Sequence, residues 1–180
     1  MKMRSIIFFF AMLLFSCTNG SQEESNSNSA SGKVIAIIDG DTYDISMEGN
    51  KTVRVRMEGI DAPEKGMPFY SIAKKYLGEL CFKKNVVAEI HEADRRGRKI
   101  AFTYLEDGTE ISDEMIKAGL AWHFKKYNSD KDLAALELEA KRLQMGLWVD
   151  KNPMAPWTNR ALHRKGISTK DSFDIKFDRK

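Results

Sequence analysis

Two acidic segments stand close together in this chain: Ile38-Asp39-Gly40-Asp41-Thr42 and Arg56-Met57-Glu58-Gly59-Ile60-Asp61-Ala62-Pro63-Glu64. A third motif, Asp94-Arg95-Arg96-Gly97-Arg98, follows downstream. Carboxylates brought together repel one another unless something positive sits between them. A hard divalent cation such as Ca²⁺ meets that need, because it takes carboxylate, carbonyl and water oxygens. His91, His123 and His163 have no metal-ligand spacing, and with only two cysteines, Cys17 and Cys81, no zinc set is present. Arg56 and Arg98 add planar guanidiniums, which match the oxygens of a phosphate with paired donors. Singly, each motif has an ordinary reading: Asp-Gly-Asp is common in turns, Asp-Ala-Pro-Glu can start a helix, and arginines are usually solvated. In combination they point to an enzyme that cuts phosphodiesters.

The elements around these residues must bring them together. Residues 33–38 are rich in β-formers. Tyr43, Ile45 and Met47 alternate with polar residues, Glu48-Gly49-Asn50-Lys51 turns the chain, and Val53, Val55 and Met57 alternate again. Arg54, Arg56 and Glu58 then share the opposite face. A three-strand meander of this kind carries the Asp39–Asp41 and Asp61–Glu64 segments to one end of the sheet. Pro68 can open a helix with Ile72, Ala73, Tyr76, Leu77 and Leu80 along one face. Strands over 85–91 and 99–105 follow, joined by the arginine-rich loop. A second helix holds Ile111, Met115 and Ile116 and stops at Gly119. Ser129 can cap a third, with Leu133, Leu136, Ala140 and Leu143 as its stripe and Gly146 at its end. Five strands grouped three and two with three helices predict an α+β chain with a mainly β core, a small five-stranded barrel of the oligonucleotide-binding (OB) type.

At 180 residues, 42% apolar and 31% charged, the chain is long enough for one domain with a real core. Residues 1–16 read as an export signal: Lys2 and Arg4, then a ten-residue apolar run, too short for a membrane span. Leu14-Phe15-Ser16-Cys17 is similar to a bacterial lipobox, which would leave Cys17 lipidated and the protein held on a membrane it does not cross. The alternative is a plain secretory signal cut near Ser16. Residues 17–32, mostly Ser, Asn, Gly, Gln and Glu, are expected to be a flexible tether. The folded body is placed at 33–160 and a basic tail at 161–180. Cys81, left single, is expected to be a small buried hydrophobe. Residues 33–159 carry 20 Lys and Arg against 21 Asp and Glu, so nucleic-acid recognition has to rest on a local patch.

The motifs quoted above, with Gly119-Leu120-Ala121-Trp122 and Gly146-Leu147-Trp148, resemble the staphylococcal nuclease (thermonuclease) family over residues 33–148. The resemblance implies an OB barrel with three helices and calcium-dependent hydrolysis of single-stranded or denatured DNA and RNA that leaves 3′-phosphate ends. It makes Asp41 and Asp61 side-chain ligands of Ca²⁺ and Ala62 a ligand through its carbonyl, with Asp39 just behind them. Glu64 would hold or deprotonate the attacking water, and Arg56 and Arg98 would clamp the phosphate. Arg95, Arg96, Phe124 and Tyr127 would contact the nucleotide; Arg96 stands where the family often has Tyr or Phe, and His123, Phe124 and Tyr127 stand in the segment where it has tyrosines. The resulting expectation is a monomeric exported nuclease, lipid-anchored in the cell envelope or secreted. A non-catalytic OB module that binds nucleic acid without cutting it is the alternative.

Overall fold

A computed structural model describes residues 28–170 and residue 173. The export signal, Cys17 and most of the expected tether lie outside these residues.

Five strands close the barrel. They are β1 (Ser29–Ile37), β2 (Thr42–Ser46), β3 (Thr52–Met57), β5 (Asn85–Ala93) and β6 (Lys99–Leu105), in spatial order β1-β2-β3-β6-β5. The β1-β2-β3 meander is antiparallel as expected, with Thr42 opposite Arg56 and Asp44 opposite Arg54. β3 and β6 run parallel, pairing Val55 with Lys99 and Arg56 with Ile100. The crossover between them contains α1 (Tyr70–Cys81) and β5. α2 (Ile111–Lys117) and α3 (Lys131–Arg142) pack on each other, and α2 also packs on α1.

The alternation read from the sequence decides which faces turn inward. Tyr43, Ile45, Val55 and Met57 are buried, together with Val34, Val86, Ala88 and Ala101 from the other strands. The Tyr43 hydroxyl is not stranded there, since it shares a 2.6 Å hydrogen bond with the equally buried Thr103. α1 contributes Ala73, Leu77 and Cys81, with Tyr76 and Leu80 packed against the core beside them; of the expected stripe only Ile72 turns away, 44% exposed. Cys81 is the buried small residue anticipated; its thiol donates to the Leu77 carbonyl, and burial pushes its pKa up to about 12.

Several expectations are corrected. β1 begins at Ser29, so residues 29–32, read as tether, pair with Val86–Glu89 of β5 and bury Ala30. A polar, glycine-bearing stretch looks like linker, yet here Gly32 is needed: a Cβ on it would come 2.3 Å from the Ser46 carbonyl oxygen. Asp130, not Ser129, caps α3, accepting from the amides of Asp132 and Leu133 at 2.7 and 3.2 Å. Leu143 lies past the end of α3, 52% exposed. A short ladder joins β4 (Ile60–Asp61) to β7 (Trp122–His123), two strands too brief to show a period. A fourth helix, α4 (Pro156–Arg164), stands where the body was expected to end, opened by a proline at its first turn. Beyond it Thr169 is still buried, bonded to Asn159 and His163.

Candidate active site

The β2–β3 register sets Arg56 beside the start of β2, on the outer face of the barrel. Its side chain is 11% exposed, and its guanidinium is nearly saturated. Nε meets Asp41 Oδ1 at 3.1 Å and Nη2 donates to Asp61 Oδ1 at 3.0 Å. Nη1 donates to the carbonyls of Met57 at 2.6 Å and Ile60 at 2.8 Å. Three of the five N–H donors make hydrogen bonds and Nε faces Asp41 as an ion pair, which leaves one Nη2–H to meet a ligand.

Asp41 is fixed from three sides. Oδ2 accepts the Ala62 amide at 2.7 Å, Oδ1 accepts the Thr42 hydroxyl at 2.9 Å, and the Arg56 contact completes the set. Gly40 lets the turn press this close: a Cβ there would meet Ala62 Cβ at 2.8 Å and Ala73 Cβ at 2.9 Å. Asp39 lies behind, its Oδ1 accepting the Asp41 amide at 3.1 Å. Burial, and then the charge of Asp41, push the Asp39 carboxyl up to about 7.

Asp61 is 1% exposed on β4, anchored by the β4–β7 pairing opposite Trp122. Burial raises its pKa, and the hydrogen bonds and charge of two arginines oppose that rise. The second of those arginines was missed by sequence reasoning. Arg160, on α4, donates from Nη2 to Asp61 Oδ2 at 2.6 Å and from Nη1 to Asp61 Oδ1 at 3.1 Å. The same Nη1 reaches Glu64 Oε1 at 2.5 Å. Asp41, Arg56, Asp61, Arg160 and Glu64 thus form one chain of alternating charge. Only the proline-opened helix pattern over 156–164 could have pointed to Arg160.

Arg98 opens β6. Its guanidinium is held by Asp94, with Nε and Nη2 each 2.8 Å from Oδ2. Asp94 also accepts the Arg96 and Arg98 amides; burial would raise its carboxyl, but these bonds hold it below the usual range. Because Ile100 pairs with Arg56, Arg98 sits two residues before that partner, at the entrance to the neighbouring strand. Arg95 and Arg96 are exposed at the turn tip, where Gly97 takes φ +80°. Phe124 stacks on Trp157 and meets Tyr127 edge-on.

The donors around the centre are all oxygens, the set that a hard cation takes. Asp41 and Asp61 both turn an oxygen to one positive group, so the pair already demands a cation. Among the described residues no three acidic, His or Cys side chains form a ready metal cluster, because guanidiniums stand between the carboxylates. The donor chemistry, carboxylate and carbonyl oxygens, fits a hard divalent ion.

A closed five-stranded OB-type barrel with an acid–arginine centre outside β2 and β3 defines a phosphate-handling class. Residues 54–150 match the model of the family described as staphylococcal nuclease homologue, and the chain belongs to that family. It is 37% identical over 134 residues to an uncharacterized endonuclease of Escherichia coli O157:H7, covering 74% of this chain and 86% of that protein. It is 35% identical over 153 residues to an uncharacterized endonuclease of Haemophilus influenzae, 85% and 83% covered. A micrococcal nuclease of Shigella flexneri matches at 37% over 136 residues, 70% and 78% covered.

Proposed function

We propose that this protein is a calcium-dependent nuclease that hydrolyses phosphodiester bonds in DNA, RNA or both. One observation carries the reading: Asp41, before β2, and Asp61, on β4, lie 3.1 and 3.0 Å from the same Arg56 guanidinium, and Glu64 joins them through Arg160. The side chains of Asp41 and Asp61 and the Ala62 carbonyl would hold Ca²⁺. When bound, the ion neutralises phosphate charge and helps to place water.

The rest of the chemistry belongs to the chain's own residues. Arg56 offers its remaining Nη2–H to a phosphate oxygen, and Arg98, oriented by Asp94, approaches from the next strand. Fixed positive charge of this kind has most effect where negative charge grows during attack. Glu64, 42% exposed, can reach a water and take its proton as the water oxygen adds to phosphorus. The bond to the 5′ oxygen then breaks, that oxygen takes up a proton, and a 3′-phosphate remains.

The test uses the chain lacking residues 1–27 and denatured DNA, with calcium or with chelator. Cleavage should require calcium, should fall about 10²-fold or more in Arg98→Ala, and should be lost in Glu64→Gln. A strand held uncut under every condition would establish the non-catalytic binding module instead.

For the whole protein the proposal is a monomer exported to the cell envelope, lipid-anchored through Cys17. Cys17→Ser should move the protein from the membrane pellet to the supernatant. Wild-type protein found free in the medium would establish the secreted alternative.

A further inference from the structure

α4 has two flanks. One walls the groove beside the acidic centre, where Phe124 stacks on Trp157 and Arg160 stands at the edge. The other flank lines a second pocket, of about 390 Å³. The walls of this pocket come from two places. Lys65, Gly66 and Met67 follow directly after Glu64, and a return segment, residues 166–170, folds back after α4. Gly166 makes that turn with φ +74°, a conformation glycine adopts without strain.

A buried clasp fastens the return segment to the helix. Thr169, 2% exposed, donates its hydroxyl proton to Asn159 Oδ1, itself on a residue 3% exposed. With that proton committed, the 3.0 Å contact to His163 runs the other way: the ring Nε2–H donates to the Thr169 oxygen. Asn159 is the neighbour of Arg160, so the clasp fixes the turn of helix from which Arg160 reaches Asp61 and Glu64.

The pocket carries charge of one sign. Lys65, His163 and Lys170 line it, together with the Ser168 hydroxyl, and no carboxylate does. Among the described residues neither lysine is paired with an acid, and the Ser168 and Thr169 amides donate to nothing. Met67, 7% exposed, gives the same pocket an apolar wall. Cations and open N–H groups beside such a wall hold a local positive potential that attracts an anion.

We propose that the pocket between residues 65–67 and the return segment after α4 binds the phosphate group of a small molecule. Several oxygens on one phosphorus can take several donors at once, and lysine serves such a group as a point charge. Lys65 meets the phosphate from one wall, and Lys170 with Ser168 meets it from the other. The bound group ties the segment after Glu64 to the segment after α4 and braces the Arg160–Glu64 contact from behind. The site is separate from the centre at which a diester would be cut, and it stands whether or not the protein is a nuclease. Apart from residues 65–67, its lining lies beyond residues 54–150, the part that matches the family model.

Calorimetry on the full chain in chelator, without nucleic acid, tests the pocket with two probes. One is inorganic phosphate; the other is glycerophosphoglycerol, the soluble headgroup of phosphatidylglycerol. Lys65→Gln/Lys170→Gln should weaken binding about fivefold or more, the scale of two partly exposed ion pairs. Lys51→Gln/Lys131→Gln, an equal loss of charge at exposed lysines outside the pocket, should change it less than about twofold. Arg98→Gln should also leave it within about twofold, because screened charge outside the pocket adds little. In nuclear magnetic resonance of the unmodified chain, the His163 ring signals should move with added probe while those of His91 stay. Circular dichroism melts confirm that each variant is folded.

Tighter binding of inorganic phosphate assigns a free phosphate as the ligand, tighter binding of the headgroup assigns a lipid surface, and equal binding assigns the phosphate group alone. Binding of neither probe, an equal loss in the Lys51/Lys131 control, loss in Arg98→Gln with none in Lys65→Gln/Lys170→Gln, or a still His163 ring would overturn the site. Failure of the nuclease reading looks different: denatured DNA would stay intact in calcium while phosphate binding persisted.

Discussion

At the scale of single residues, the two proposed clamp arginines have different jobs. Arg56 bridges two buried carboxylates and two carbonyls, whereas Arg98 pairs with a partly exposed Asp94. Arg56→Lys keeps the charge but cannot reproduce the fork. It should lower activity about 10²-fold and also lower the melting temperature. Arg98→Ala should lower activity while changing stability by less than about 1 kcal/mol, the usual scale for a surface ion pair; thermal melts beside kinetics separate the two. Arg160 presents a third case. Asp61 Oδ1 already accepts from two guanidiniums and Oδ2 from one, so a divalent ion must compete with Arg160 for the same lone pairs. Calorimetry without nucleic acid should give about fivefold tighter calcium binding for Arg160→Gln, a modest gain because Arg160 is partly solvent-exposed. Weaker calcium binding in that variant would show instead that Arg160 orients the carboxylates for the ion.

Among the elements, α2 carries a pH dependence. Glu110 sits at its N-cap, makes no capping bond, and leaves Oε1 buried without a partner. Burial, and then the charges of Asp113, Asp130, Glu89 and Glu58, push its pKa up to about 7 from 4.5. A carboxyl raised by folding favours the protonated native state. Its contribution to stability is complete below pH 4.5 and is lost as pH climbs to about 7. Relative to wild type, Glu110→Gln should gain about 1 kcal/mol between pH 4.5 and pH 8 in denaturant melts, a figure reduced for partial exposure. No relative gain over that range would mean that Glu110 titrates normally.

The elements also divide by how far the sequence revealed them. β2 and β3 were legible because Tyr43, Ile45, Val55 and Met57 keep a period of two with one buried face. Residues 29–32 were not, because backbone pairing with β5, rather than side-chain pattern, makes them strand. β4 and β7 have two residues each and no period to read.

For the molecule as a whole, the barrel excludes solvent from Cys81, and burial pushes its thiol up to about 12. In the chain lacking residues 1–27, where Cys81 is the one thiol, reaction with a disulfide reagent should therefore wait for global unfolding and follow the exchange of the slowest amide hydrogens. Fast labelling of the native protein would contradict this packing. Whole-molecule geometry also explains what the sequence revealed of the centre. The β2–β3 pairing joins Asp41 to Arg56, and Asp61 follows Arg56 by five residues, so a short stretch of sequence holds all three. Arg160 stands 99 residues from Asp61, and nothing short of the finished packing brings them together.

That distance gives the chain an order of assembly. While α4 is still unmade on the ribosome, Asp41, Arg56 and Asp61 exist without the guanidinium that ties Glu64 to them, and the groove beside them has no second wall. A growing polypeptide is therefore an unfinished blade, and the cell that builds it meets the completed edge only after α4 has emerged.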